Sequence, residues 1–149
     1  MSWRVRKYFC HRKIMNYLIA FCLLAFLGGV DSFYLFYKSR RGQPVACPLR
    51  GECQAVLASR WNKFWGIKNE VWGLSYYSFL FFLGCLLLII PQGTKLLWPW
   101  LMFFVSGGFL YSVFLTYIQL IRIKETCVFC FLSATVSVLL FVNVLLLDR

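Results

Sequence analysis

Four long apolar runs dominate the pattern of hydrophobic and polar positions along the chain. They cover residues 14–37, 71–90, 96–121 and 126–147, and Asp31 is the only Asp, Glu, Lys or Arg within them. Each run reaches the ~20 residues that an α-helix needs to cross the hydrocarbon core of a bilayer. Because backbone groups in lipid must bond within the segment, the runs predict helices. The predicted fold is an all-α integral membrane protein, with a four-transmembrane-helix bundle as one domain over residues 1–149.

Composition agrees with this interpretation and excludes an ordinary soluble domain. Hydrophobic residues make up 61% of the 149 residues and charged residues 14%, and the mean hydropathy is +0.72. Soluble domains average about 25% charged residues. The net charge of +11 comes from basic residues that flank the apolar runs, where they lie beside anionic lipid headgroups. The lipid bilayer is therefore a predicted partner and nucleic acid is not.

The basic stretch before the first run resembles the start of a secretory signal. The run is too long for a signal, however, and no A-x-A-like cleavage site follows Gly28 and Gly29. It is therefore predicted to be a retained first span with a cytoplasmic N-terminus, because the first helix usually sets orientation. Over the whole chain, 7 Lys and Arg residues lie on the predicted cytoplasmic side and 9 on the other, so this count does not decide the topology.

The only long extramembrane segment, residues 38–70, begins with polar residues and turn formers. Its part from Gly51 to Trp65 places apolar side chains on one helical face, with the snorkelling Arg60 among them. These apolar side chains are Cys53, Val56, Leu57, Trp61 and Phe64. The pattern predicts a short amphipathic helix on the membrane surface.

The chain has seven cysteines, and four of them form two close pairs. Cys47 and Cys53 lie in the long loop, while Cys127 and Cys130 begin the fourth run. In a chain with four spans, the first loop and the start of the fourth span face the same side of the membrane. Disulfide exchange between the pairs is therefore geometrically possible. The other three, Cys10, Cys22 and Cys85, are interpreted as unreactive thiols.

The spacing of the second pair favours redox chemistry. A three-residue step places both sulfurs on one helix face. Thr126 is the predicted helix cap, and the positive helix terminus lowers the pKa of a thiol in the first turn. Cys130 lies about 4.5 Å deeper than Cys127 along the helix. A thiol that faces the hydrocarbon suits a lipid-soluble electron acceptor, which indicates a quinone.

Two other uses of these cysteines compete with exchange. Four cysteines could bind zinc, but zinc sites rarely lie at the mouth of a membrane helix and the single His11 lies on the opposite side. No metal site is therefore predicted. Two purely structural disulfides remain an alternative, because disulfides persist in any oxidising compartment.

The sequence resembles the vitamin K epoxide reductase family, which includes bacterial homologues that oxidise periplasmic dithiols. The resemblance covers nearly the whole chain and rests on a loop pair, a following Ser, a Gly near span two and a CxxC at span four. These residues are Cys47, Cys53, Ser59, Gly73, Cys127 and Cys130. The triplet Ser59-Arg60-Trp61 also matches animal members of the family.

The resemblance implies a role for each residue. Cys47 and Cys53 would exchange electrons with a partner protein, and Cys53 would attack Cys127, which releases Cys130 to reduce a quinone. Asn69 falls where members of the family place an asparagine that bonds the substrate's carbonyl oxygen. Ser59 would support the same pocket. The alternatives are that Asn69 caps the second span and that Ser59 lies on a surface helix.

The function expected from these observations is a quinone-dependent thiol–disulfide oxidoreductase that supports disulfide bond formation. Bacterial members often carry a fused thioredoxin-like domain. Because this chain ends at Arg149, its partner is expected to be a separate thioredoxin-fold, DsbA-like protein. The acceptor is a ubiquinone- or menaquinone-like quinone. The expected location is the bacterial inner membrane, with both termini cytoplasmic and the active site periplasmic.

Three alternatives remain. Vertebrate members carry a tyrosine four residues after the last cysteine of the CxxC, where this chain has Ala134, and this disfavours vitamin K epoxide as substrate. A DsbB-type quinone reductase also has four spans and two pairs, but both of its pairs lie in loops. A non-catalytic membrane protein held by disulfides, such as a transporter subunit, is the third alternative. Transport favours ionisable groups within spans, and Asp31 is the only one.

Overall fold

The computed structural model describes residues 3–45, 53–90 and 94–148, with side chains over 12–45, 53–90 and 96–147. Four long helices and one short helix, α2, make up most of these residues. They are α1 Trp3–Arg40, α2 Cys53–Ala58, α3 Asn69–Ile89, α4 Thr94–Ile118 and α5 Val128–Asp148. The four long helices are long and apolar enough to cross a membrane. The prediction of an all-α four-helix membrane bundle is confirmed, and the protein is an integral, multi-pass membrane protein.

The bundle is held by one apolar core. Helix α1 packs against α3 and α5, and α4 packs against α5 and α3. The core takes one stripe from each helix, which includes Phe21, Leu80, Leu101 and Leu140, all nearly inaccessible. Large apolar side chains such as Phe82 point outward instead. Outward apolar surface is stable only because lipid tails are as apolar as the core.

Small residues allow α1 and α3 to approach closely. A Cβ on Gly28 would lie 2.5 Å from the Tyr77 ring, and one on Gly73 would lie 2.8 Å from Ser32 Oγ. Both distances are shorter than real Cβ contacts, so only glycine fits. Gly73, which the resemblance marks, therefore sets the spacing of the two helices beside the site.

The first loop differs from the prediction of one helix from Gly51 to Trp65, which is wrong in its length. Helix α2 ends at Ala58, where Ser59 Oγ donates a hydrogen bond to the Val56 carbonyl oxygen over 2.7 Å. A 3₁₀ turn follows over Arg60–Asn62, and then a hairpin of β1 Lys63–Phe64 and β2 Ile67–Lys68.

Backbone conformation explains the hairpin. Trp65 and Gly66 have φ values of 52° and 79°, which are the left-handed values that a two-residue hairpin turn requires. The predicted apolar face therefore breaks after Leu57. Cys53 and Val56 are buried, whereas Trp61 and Phe64 are exposed.

The chain also departs from ideal helix between α4 and α5. Residues Gln119–Ile123 form a π-helical turn, and Lys124 has a left-handed φ of 58°. Single π-helical turns inside or beside α-helices are frequently found at functional sites. This turn rotates Gln119 towards the start of α5, where the CxxC lies.

Candidate functional site

Cys53 and Cys127 lie in the same buried cluster, at one end of the bundle. Cys53 begins α2 and is 1% exposed, and Cys127 precedes α5 and is 0% exposed. Leu35, Val45 and Val56 complete the buried part of this cluster. The structure therefore brings the first loop and the mouth of the fourth span together, which the exchange of electrons between them would require.

The cysteines at this site differ in their bonding. Cys53 is disulfide-bonded, while Cys127 and Cys130 are free thiols. The predicted partner of Cys53 is Cys47, which lies outside the described residues. Their pairing therefore stays a prediction.

Cys127 itself occupies the cap position of α5. The backbone N–H of Phe131 donates to the Cys127 carbonyl oxygen over 3.0 Å, which is the first hydrogen bond of the helix. The prediction that Thr126 caps the helix is therefore wrong by one residue. The helix begins one residue later than the hydrophobic pattern indicates, because residues 124–127 form no regular secondary structure after the left-handed Lys124.

This position stabilises a Cys127 thiolate. A hydrogen bond from the Cys130 thiol lowers the pKa of Cys127, and the backbone N–H groups of Cys130 and Phe129 lower it further. Burial and the nearby Asp31 oppose the effect, but the pKa of Cys127 remains below the usual value of a thiol. Hydrogen bonds to the charged form and a helix N-terminus are the usual causes of such a shift.

Cys130 lines a cavity of about 70 Å³ inside the bundle. The side-chain amide of Gln119 donates a hydrogen bond to the Cys130 sulfur. Residues from α1, α3, α4 and the first loop complete the wall. Its polar members include Asp31, Ser32, Asn62, Asn69, Glu70, Ser112, Thr116 and Ser133. The sulfur of Cys130, the deeper of the two, therefore faces a chamber between the spans whose wall carries several polar side chains. Below, this space is called the chamber.

Asn69 lies in this wall, and its amide group is held from two sides. Tyr111 donates to Asn69 Oδ1 over 2.7 Å, and Asn69 Nδ2 donates to the Trp61 carbonyl oxygen over 3.2 Å. Asn69 does not act as the cap of α3, because that position belongs to Lys68, which makes no side-chain cap hydrogen bond. One N–H of the amide remains available to a ligand in the cavity.

Ser59 does not line the cavity. Its hydroxyl is bonded to the Val56 carbonyl oxygen, and its backbone precedes the 3₁₀ turn. Asn62, a neighbour in that turn, also connects the first loop to α3. Its Nδ2 donates to the Leu57 carbonyl oxygen over 2.9 Å and to Glu70 Oε2 over 3.1 Å.

A second, wider groove adjoins the cavity between α3, α4 and α5. Its volume is about 290 Å³, and aromatic side chains such as Trp72, Tyr76 and Phe104 form most of its wall. Ser112, Leu115 and Ser133 line both spaces. The chamber beside Cys130 thus adjoins an apolar groove and shares three residues of its wall.

A comparison with known families now identifies the kind of protein. The sequence model of the vitamin K epoxide reductase family matches residues 19–145. The chain belongs to the vitamin K epoxide reductase family. It is accordingly a membrane oxidoreductase whose chemistry is related to quinones. The family region contains both cysteine pairs and every residue of the cavity.

Within this family, the tyrosine position of vertebrate members is held by Ala134, and Ala134 lines the cavity. The wall of the cavity beside Cys130 therefore has a small side chain at position 134. Among the described residues, no group of three or more His, Cys, Asp or Glu side chains is placed to hold a metal ion.

Sequence reasoning missed several residues that the structure places at the site. Gln119 and Tyr111 lie in long apolar runs, where their polarity was the only available signal. Glu70 ends the extramembrane segment 38–70 and carries no signal beyond that position. Asp31 is the only charged residue within the apolar runs, and a lone carboxyl in a membrane span is itself a signal of function.

Proposed function

We propose that the protein couples the oxidation of protein dithiols to the reduction of a ubiquinone- or menaquinone-like quinone, and so supports disulfide bond formation. One observation carries the proposal. Cys127 shares a buried cluster with Cys53, whereas Cys130, three residues on, lines the chamber inside the bundle. Cys127 thus lies beside Cys53, while Cys130, which packs against the same cluster, also reaches the bundle interior.

The electrons pass by two thiol–disulfide exchanges. A reduced thioredoxin-fold, DsbA-like partner reduces the Cys47–Cys53 disulfide. As its thiolate, Cys53 then attacks Cys127 of the Cys127–Cys130 disulfide, and Cys130 leaves and takes up the proton that Cys53 lost. Cys47 next attacks Cys53, which restores the first disulfide and releases Cys127. The lowered pKa of Cys127 supports this step, because a thiol of lower pKa leaves faster.

The chamber and the adjoining groove fit the headgroup and the apolar body of a quinone. Quinone oxygens accept hydrogen bonds, and Asn69 retains one N–H to donate. The groove offers aromatic walls to an apolar ring and tail. Ligand sites of this kind are mostly apolar, with a few placed polar groups. Asn69 is therefore the proposed substrate-binding residue, and Ser59 is proposed to act only through the shape of the first loop.

The proposed location is the bacterial inner membrane, with both termini cytoplasmic and both cysteine pairs at the periplasmic side. The first loop and the start of α5 lie at the same end of the bundle, as that arrangement requires. An oxidising compartment supports the proposal, because disulfide exchange with secreted proteins takes place there.

The proposal can be tested with purified protein in lipid nanodiscs, a reduced DsbA-like protein and menadione, by following quinone absorbance. We expect reduction by the wild-type protein and none by Cys130→Ala. Cys85→Ala is a matched control, because Cys85 contacts Cys22 within the bundle and lines neither space. Menadione reduction that persists in Cys130→Ala would remove Cys130 from the reaction.

Trapping separates exchange from structural disulfides. Without Cys130, the thiol of Cys127 has no partner in its own helix and should accumulate as a Cys53–Cys127 mixed disulfide. A non-reducing gel with peptide mapping detects this species. Two static structural disulfides would give no such species, and its absence would favour that alternative.

A further inference from the structure

Asp31 is a buried carboxyl group in the wall of the chamber that Cys130 lines. It lies within α1 and is 7% exposed. Within the described part of the chain, neither of its carboxyl oxygens has a hydrogen-bond partner. A buried polar group without a partner costs several kcal/mol. A structural role would supply partners, so Asp31 requires another explanation.

Asp31 is not the only group beside the chamber whose oxygens lack a partner among the described residues. Glu70 Oε1 and Gln119 Oε1 are also buried and have no hydrogen bond to any described residue. Glu70 is 4% exposed and its nearest cation, Lys68, lies 4.0 Å away. Oxygens in such a chamber are satisfied only by groups that carry protons, such as water or a protonated carboxyl.

Asp31 also lies near the reacting sulfurs. It lines the same chamber as Cys130 of α5, and its negative charge opposes the ionisation of Cys127, which precedes α5. On α3, the titratable groups that face it are Tyr77, with which it also interacts, and Glu70. The Tyr77 hydroxyl is already bonded to Ser133 and Ser137 of α5. That leaves Asp31 and Glu70 as the carboxyls of the chamber.

The chemistry requires a group that moves a proton at this place. Oxidation of the Cys127–Cys130 dithiol to a disulfide releases two electrons and two protons, and reduction of a quinone to a hydroquinone consumes both. A thiol gives up electrons as its thiolate, so the Cys130 proton must leave first. The hydrocarbon around the bundle offers no proton acceptor.

We propose that Asp31 is the proton-transfer residue of quinone reduction. This inference rests on the proposed function. Because Asp31 makes no direct hydrogen bond to Cys130, its carboxylate takes the proton of the Cys130 thiol through a water molecule in the chamber. The protonated Asp31 gives that proton to the quinone oxygen and returns to its initial state. The Cys127 and Cys130 sulfurs close the S–S bond as the electron pair passes to the quinone, and the proton lost by Cys127 is the second one that the hydroquinone takes up, so Asp31 undergoes no net change.

Asp31→Asn tests the assignment because the amide keeps the size of the side chain but can neither take up nor give up a proton. The full-length protein in nanodiscs is pre-reduced, and a single turnover with menadione is followed by stopped-flow absorbance. We expect a rate about a hundredfold lower than that of the wild-type protein, which is typical of the loss of a general acid–base. Glu125→Gln is the matched control, because Glu125 precedes the CxxC but does not line the chamber.

The pH profile gives a second measurement that a merely structural role would not change. Without Asp31, Cys130 must lose its proton to solvent, so the rate of Asp31→Asn should increase with pH more steeply than that of the wild-type protein. The thermal stability of Asp31→Asn should equal or exceed that of the wild-type protein, because an unpartnered buried carboxyl is removed.

The experiment distinguishes an error in the proposed function from an error in the role of Asp31. If the wild-type protein does not reduce menadione, the proposed function is wrong. If the wild-type protein does so and Asp31→Asn keeps its rate and pH profile, only the role of Asp31 is overturned. Asp31→Ala provides a second variant, in which added formate should restore part of the lost rate. A slow Asp31→Ala protein that formate does not accelerate would equally overturn the assignment.

Discussion

The sulfur of Cys127 is surrounded by hydrogen-bond donors. The Cys130 thiol and two backbone N–H groups at the start of α5 all point to it. A hydrogen bond to a charged group contributes about 1.5 kcal/mol or more and favours the charged form. The two thiols of one CxxC therefore differ in kind, since Cys127 forms the stabilised thiolate when the pair ionises and Cys130 donates a hydrogen bond to it.

This difference predicts the titration of Cys127 in variants of its neighbour. Cys130→Ala removes the side-chain donor, whereas Cys130→Ser keeps a hydroxyl that can donate. In a Cys47→Ala/Cys53→Ala background, in which no mixed disulfide can form, the pH at which Cys127 reacts half-maximally with a small thiosulfonate should therefore be higher in the Ala variant than in the Ser variant. Mass spectrometry at a series of pH values measures it. Equal midpoints would show that the backbone N–H groups alone stabilise the thiolate.

Between elements, the close contact of α1 with α3 depends on glycines, which have no side chain. Gly28 faces the Tyr77 ring across this contact, and Tyr77 in turn bonds Ser133 and Ser137 of α5. A shift of Tyr77 would therefore be transmitted to the helix that carries the CxxC. Packing at this contact and the geometry of the site are physically connected.

Gly28→Ala should destabilise the bundle although alanine is the better helix former. The gain in helix propensity is about 0.5–1 kcal/mol, whereas forcing a methyl group into a packed contact costs about 1–3 kcal/mol. Gly29→Ala is the control in the neighbouring position, because its Cβ would meet Tyr77 Cβ at an ordinary 3.8 Å. Thermal unfolding in detergent should give a lower midpoint for Gly28→Ala and an unchanged or higher one for Gly29→Ala. Equal midpoints would mean that the helices separate without cost.

The elements differ in how far the sequence predicts them. The long helices follow from length and hydrophobicity alone, because nothing else crosses a bilayer. The hairpin at Trp65 and Gly66 and the π-helical turn at Gln119 do not follow, since both depend on backbone conformations that tertiary contacts select. The cap of α5 shifts from Thr126 to Cys127 for the same reason.

The candidate site is predictable in its sulfurs and not in its surroundings. Spacing places the two cysteine pairs at one end of a four-span chain. The rotation of each helix, however, decides whether Asp31, Tyr111 or Gln119 faces the chamber or the lipid. The apolar runs are hydrophobic on all sides, so they carry little periodicity from which that rotation could be inferred. The packing of the folded helices brings these residues together, and their sequence positions do not reveal it.

For the whole molecule, the main consequence of the fold is that the two ends of the bundle are unlike. The end of α1, the first loop and the start of α5 surround the buried sulfur cluster at one end. The start of α4 lies at the other end, because 25 residues of helix separate it from the π-helical turn near Cys130. The proposed oxidation of a water-soluble partner would thereby be confined to one side of the membrane.

This asymmetry predicts which added thiols an impermeant reagent reaches. Arg41→Cys and Lys124→Cys should be labelled together by a charged maleimide in intact spheroplasts, and Lys95→Cys only after the membrane is permeabilised. Peptide mapping by mass spectrometry distinguishes the added thiols from the native ones. Labelling of positions 41 and 124 from opposite sides would contradict the fold and end the proposed relay.

The aromatic groove lies beside the chamber, and this has a consequence for the delivery of the proposed quinone. A long-tailed quinone that occupies the groove would enter from among the acyl chains and leave by the same route, so its tail would not pass through water. Its supply is then set by how much of it is dissolved in the leaflet and by lateral diffusion there. Compounds that compete for the groove should accordingly gain potency with their partitioning into lipid rather than with their aqueous concentration.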